Sequence, residues 1–63
     1  MLSENLKKYR KKREFTRKKL SKLSGITITN IQDIEEGNNT NPTLNTLVAL
    51  SKALGVAVSK LIK

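Results

Sequence analysis

The sequence contains no cysteine and no histidine. Disulfides and thiolate metal sites are therefore excluded, as are imidazole acid–base chemistry and the usual structural zinc sites. No apolar run approaches the roughly 20 residues of a membrane-spanning helix. The start, MLSENLKKYR, lacks the apolar core of a secretory signal. There is no glycine-rich phosphate loop. The neighbouring carboxylates Asp33, Glu35 and Glu36 fall on different faces of a helix, so no nucleophile–base constellation can be assembled and no enzyme is expected. These absences point to a cytoplasmic, reduced protein with no metal, no cofactor and no small-molecule ligand. One further absence is local: from Gly25 to Asn41 there is no basic residue.

What is present is charge of one sign in one place. The net charge is +8, from 13 Lys and Arg against 5 Asp and Glu. Ten of the 13 basic residues lie within residues 1–22, beside only Glu4 and Glu14, while residues 23–63 are electrically balanced. Lys, Asn and Ile are all frequent, so part of the lysine content is compositional; the one-sided placement is harder to explain that way. Such a field attracts a polyanion and speeds its encounter. Sixty-three residues allow a single domain, residues 1–63. A domain this small buries only about 60% of the surface its unfolded chain exposes, so its stability margin is thin.

The apolar spacing predicts five short helices and no strand. The first, about Ser3–Arg13, carries Leu2, Leu6 and Tyr9 on one face, with Ser3 and Asn5 as candidate caps. The second, Arg17–Ser24, follows Thr16 as N-cap and buries Leu20 and Leu23. Gly25 stands at the left-handed stop. The third, about Ile28–Glu36, follows Thr27 as N-cap, buries Ile31 and Ile34 and ends at Gly37. GNNTNPT is a turn-rich loop. Pro42 and Thr43 introduce the fourth, Leu44–Leu54, with a stripe of Leu44, Leu47, Leu50 and Leu54, and Gly55 stops it. A last helix, Val58–Ile62, has only Ala57 as cap and is expected to fray. Two helices joined by a short glycine-containing turn, here at 17–36, form the helix-turn-helix pattern, whose second helix enters the major groove of DNA.

Leu6-x-x-Tyr9-Arg10, Leu20-Ser21, Gly25-Ile26-Thr27, Ile31-x-x-Ile34-Glu35-x-Gly37, Asn41-Pro42-Thr43-Leu44-x-x-Leu47 and Ala53-Leu54-Gly55-Val56 occur in this order. Through them the chain resembles the phage-repressor (Cro/cI-type) helix-turn-helix family, also called the xenobiotic-response-element family, from Leu6 to Ile62. The resemblance implies an all-α, lambda-repressor-like bundle of five helices. It places Thr27, Ile28, Thr29, Asn30, Gln32 and Asp33 at the major groove. There Asn30 can bond an adenine edge, Thr29 either base type, Ile28 and the Thr29 methyl can pack on thymine, and Asp33 can accept only from cytosine.

The resemblance also places Thr16, Arg17, Lys18 and Lys19 at phosphate, on a helix N-terminus that already offers free N–H groups to anions. Three positive charges in that first turn oppose the helix dipole at about 0.3–1 kcal/mol each. Relatives often have Gln at position 17, and Glu at position 19 completing a capping box. Asn38, Thr40, Asn41 and Thr43 fall where relatives contact phosphate with Lys or Arg, and amides and hydroxyls can still donate there. Glu36 replaces a common Asn. Arg10 and Glu35 correspond to a partly buried structural ion pair. Lys7, Lys8, Lys11 and Lys12 read as a solvated outer face of the first helix. Val56, Val58, Leu61 and Ile62 close the core or, as in relatives, contribute to a two-fold contact.

The implied function is sequence-specific binding of double-stranded DNA as a transcriptional repressor, by a homodimer on a pseudo-palindromic operator. The alternative is a protein-interaction module of the same fold, antitoxin-like or coactivator-like, with only non-specific DNA affinity. The uncharged third helix suits that alternative better than a basic one would.

Overall fold

A threonine and a glycine bracket two of the helices, and the structure shows how they act. In the computed structural model, which describes residues 1–63, the elements are α1 (Leu2–Lys12), α2 (Arg17–Ser24), α3 (Ile28–Glu35), α4 (Leu44–Leu54) and α5 (Val58–Ile62). Thr16, Thr27 and Thr43 are extended N-caps whose hydroxyls accept from the amides of Lys19, Asn30 and Thr46 at 3.0, 3.2 and 3.2 Å. Each satisfies one of the amides that a helix start leaves free. There are no strands, and no helix is long and apolar enough to cross a membrane.

The core draws on every helix. Leu6 of α1, Leu20 of α2, Ile31 and Ile34 of α3, Leu50 and Leu54 of α4 and Leu61 of α5 are all fully buried. Leu2, Tyr9, Phe15, Ile26, Ala53 and Val56 pack around them. Burial of one such aliphatic side chain is worth about 1.5–3 kcal/mol. Because each short helix adds only one or two, none of them is dispensable.

Three expectations about packing are corrected. Leu23 is 50% exposed. It lies beside a shallow groove between α2 and α4, floored by Val48, Ala49 and Ala53. Leu44 is 68% exposed, because the first residue of α4 projects beyond the core. Ser3 and Asn5 do not cap α1, whose N-cap is Met1 without a side-chain bond. Asn5 instead serves the far end of the chain: its Nδ2 donates to the carbonyls of Leu61 and Lys63 at 3.0 and 2.7 Å. Those are orphan acceptors at the C-terminus of α5. The helix expected to fray is thus fastened to α1.

Two turns contrast instructively. α4 ends at Gly55 with φ 70°, and a Cβ there would collide with the Arg13 guanidinium, whose Nε donates to Leu54 O at 3.0 Å. Left-handed backbone and close approach both demand glycine. The turn from α1 to α2 has the same hydrogen-bond pattern, Glu14 N to Lys11 O and Phe15 N to Arg10 O. Here, however, the left-handed residue is Glu14, at φ 58°. A residue with a Cβ carries a cost of about 1–2 kcal/mol in that conformation.

Candidate nucleic-acid interface

The alternation of α3 decides what it can present. Ile31, Ile34 and Glu35 are buried, which turns the opposite side outward. Thr27, Ile28, Thr29 and Gln32 are exposed, while Asn30 and Asp33 are half-buried. Ile28 keeps 43% of its surface in solvent. The outer face therefore offers two hydroxyls, one aliphatic side chain and two amides, with a carboxylate near its end. The Thr27 hydroxyl accepts from Asn30 N and retains its own proton to donate.

Asn30 is not free. Its Oδ1 accepts from Asn39 Nδ2 at 3.4 Å. Asn39 Oδ1 in turn accepts from Asn41 N at 3.2 Å, and the amides of Asn38 and Asn39 donate to Asp33 O at 2.8 and 3.1 Å. These bonds lash the loop 38–43 to the outer side of α3. Asn30 keeps its Nδ2 donors and one lone pair for a base edge. Asn39, which the sequence groups with the other polar residues of the loop, is the centre of this arrangement. Nothing in the run Asn38-Asn39-Thr40-Asn41 distinguishes it beforehand. Asn38, Thr40, Asn41 and Thr43 are exposed. The Thr43 hydroxyl also lies 3.0 Å from Thr46 Oγ1.

All the ion pairs of the protein lie between α1 or α2 and the end of α3. Arg10 Nε and Nη2 donate to Glu35 Oε2 and Oε1 at 2.6 and 3.0 Å, and Arg10 Nη1 donates to Phe15 O at 2.8 Å. Arg17 Nε donates to Glu35 Oε1 at 3.0 Å, and its Nη1 lies 3.8 Å from Glu36 Oε2. The expected Arg10–Glu35 pair is present, and Arg17, expected at phosphate, joins it: Glu35 is shared between the two arginines. The cause is visible in α3, whose last turn holds two carboxylates and no base. The C-terminal dipole repels those charges, so the cations come from neighbouring helices. Burial alone would raise the Glu35 pKa. The hydrogen bonds and positive charges of Arg10 and Arg17 outweigh it and hold that carboxyl below its ordinary 4.5.

No lysine takes part in an ion pair. Lys18 and Lys19, at the start of α2, are exposed, as are Lys8, Lys11 and Lys12 of α1. Lys8 Nζ stands 5.4 Å above the Tyr9 ring. The positive charge of residues 1–22 is thus open to solvent, apart from the two arginines bound to carboxylates.

A family model described as helix-turn-helix matches residues 6–61. The control protein C.SmaI of Serratia marcescens is 37% identical over 62 residues, an alignment that covers 98% of this chain and 73% of that protein.

Proposed function

We propose that this chain, which belongs to the Cro/cI-type helix-turn-helix family of sequence-specific DNA-binding regulators, represses transcription by laying α3 in the major groove of an operator. The observation that carries the reading is the division of α3 into a face that is wholly buried and a face, Thr27 to Asp33, with hydrogen-bonding groups and a methyl-bearing surface but no positive charge. Such a face suits base edges better than phosphates. The phosphate contacts fall to its flanks: Thr16, Arg17, Lys18 and Lys19 on one side, Asn38, Thr40, Asn41 and Thr43 on the other. Arg17 reaches phosphate with the guanidinium hydrogens its carboxylate partners leave free. The relative's name, control protein, describes a regulator. The protein acts in the cytoplasm, by binding rather than by catalysis, and two copies occupy a pseudo-palindromic site.

The test is duplex-DNA binding over a range of salt. Contact with six to eight phosphates gives a log K against log salt slope of about −5 to −7. Arg17→Ala weakens binding to all sequences and flattens the slope by about 1, whereas Asn30→Ala mainly relaxes sequence preference. Binding that ignores salt, or no binding, overturns the reading. The alternative, a protein-interaction module, is favoured by one observation: the open groove of Leu23, Val48, Ala49 and Ala53. Chemical-shift mapping with duplex DNA separates the two. Shifts across Thr27–Asp33 support groove reading, and shifts confined to Lys7–Lys22 support non-specific attraction alone.

A further inference from the structure

Glu36 stands where three unfavourable circumstances meet. It closes a helix C-terminus, where the dipole disfavours a carboxylate. It adjoins a second carboxylate, Glu35. Its side chain is 45% exposed, on the side of α3 that carries Gln32 and that we propose faces a polyanion. A residue that breaks local rules in this way is a candidate for function. Its contacts say which function. The single oxygen Oε2 of Glu36 accepts from Gln32 Nε2 at 3.3 Å and lies 3.8 Å from Arg17 Nη1. Arg17 is itself anchored by its Nε to the buried Glu35. A chain of contacts therefore runs from the interior to the reading face: Glu35, Arg17, Glu36, Gln32.

That chain fixes the Gln32 amide in one sense. A carboxylate only accepts, so the Gln32 atom turned toward Glu36 has to be the nitrogen. The carbonyl oxygen Oε1 and the second Nε2 hydrogen are then left for a partner, in a set orientation. A free glutamine reads adenine with donor and acceptor together, through N6 and N7. A glutamine held in this sense keeps one N–H but cannot turn over, so its carbonyl must meet a base donor, and in the major groove those are adenine N6 and cytosine N4. Guanine O6 and N7 and thymine O4 are themselves acceptors and leave that carbonyl unpaired.

We propose that Glu36 is a positioning residue for DNA recognition: it touches no base, but by holding Gln32 it makes that position select adenine or cytosine over guanine or thymine. The inference rests on α3 reading the groove. It makes one demand of two substitutions at Glu36: Ala offers Gln32 no partner, and Gln can donate as well as accept, so neither fixes the sense of the Gln32 amide.

The experiment is selection of binding sites from random duplex DNA by the wild-type protein and by Gln32→Ala, Glu36→Ala and Glu36→Gln. The position whose preference disappears in Gln32→Ala is the one Gln32 reads. The wild type prefers adenine or cytosine there by about three- to tenfold, the span of one hydrogen bond. Glu36→Ala and Glu36→Gln both lose that preference, because neither holds the Gln32 amide in one sense. The inference is overturned if the wild type prefers guanine or thymine at that position, if Gln32→Ala alters no position, or if Glu36→Ala leaves the preference intact. It is overturned equally if Glu36→Gln keeps the preference, since an accept-only partner is then not what orients Gln32. Failure of the wild type to select any sequence would instead remove the groove-reading proposal on which this one stands.

Discussion

Glu35 has no solvent-exposed side-chain surface, yet it is held as a carboxylate, because Arg10 and Arg17 donate three hydrogen bonds to its two oxygens. Burial is outweighed by those bonds and the two positive charges, which hold its pKa below the ordinary value it has in the unfolded chain. A depressed carboxyl contributes stability that is fully present above the unfolded pKa and is lost as pH falls through the folded one. Glu35→Gln removes this dependence. At neutral pH we expect the variant to be less stable by about 2 kcal/mol, below the 3–5 kcal/mol typical of a broken buried pair because both arginines can regain water. Urea midpoints of the two proteins, followed from pH 7 to pH 3, should converge on the acid side. A gap that stays constant across that range would mean that Glu35 acts through shape and not through charge.

At the scale of elements, α2 and α3 explain each other. Arg17, Lys18 and Lys19 crowd the positive end of α2, and Glu35 and Glu36 crowd the negative end of α3. Each helix alone is badly charged; where they meet, Arg17 bridges the two ends. α5 depends on a neighbour in the same sense. It has five residues and no side-chain cap, and it is held by the buried Leu61, by the bonds from Asn5 and by the N-terminal ammonium, which donates to Lys63 O. Asn5→Ala should lower stability by about 1–2 kcal/mol and speed amide exchange in α5 more than in α2 or α3. Uniform acceleration in all three helices would show that α5 unfolds only with the whole molecule. These cases mark what the sequence discloses. The Thr caps, the Gly stops and the face of Ile31 and Ile34 were legible because they act within a turn or two. Asn5 with Leu61, Arg13 with Leu54 and Arg17 with Glu35 lie 56, 41 and 18 positions apart, and periodicity names a face without naming its partner. Leu23 was misplaced for the same reason: spacing puts it near Leu20, but only the packed neighbour, with small Ala49 and Ala53, shows that nothing covers it. On the outer face of α3, the outward residues follow from the inward ones. That Asn39 engages Asn30 and Glu36 engages Gln32 does not.

At the scale of the molecule, size constrains how two copies would share the proposed operator. The backbone spans 22 × 22 × 19 Å. Half-sites one helical turn apart are separated by about 34 Å, so two copies centred on them leave about 12 Å between backbone envelopes 22 Å wide. Side chains from both copies can bridge that gap, but only with their tips. The buried area then falls at the low end of specific interfaces, below about 1,200 Å², where free association is weak. Each protomer also carries a net charge of +8, which opposes pairing in solution and is neutralised on DNA. A two-fold contact through the half-exposed Ile62 and its neighbours should therefore be made on the operator rather than before it. Sedimentation at micromolar concentration should show mainly monomer, and titration of a two-half-site duplex should be cooperative, with the cooperativity lost when five base pairs are inserted between half-sites. A dimer already complete in free solution at that concentration would show that the contact is broader than this spacing permits. In that case the two copies must approach more closely than half-sites a full turn apart allow.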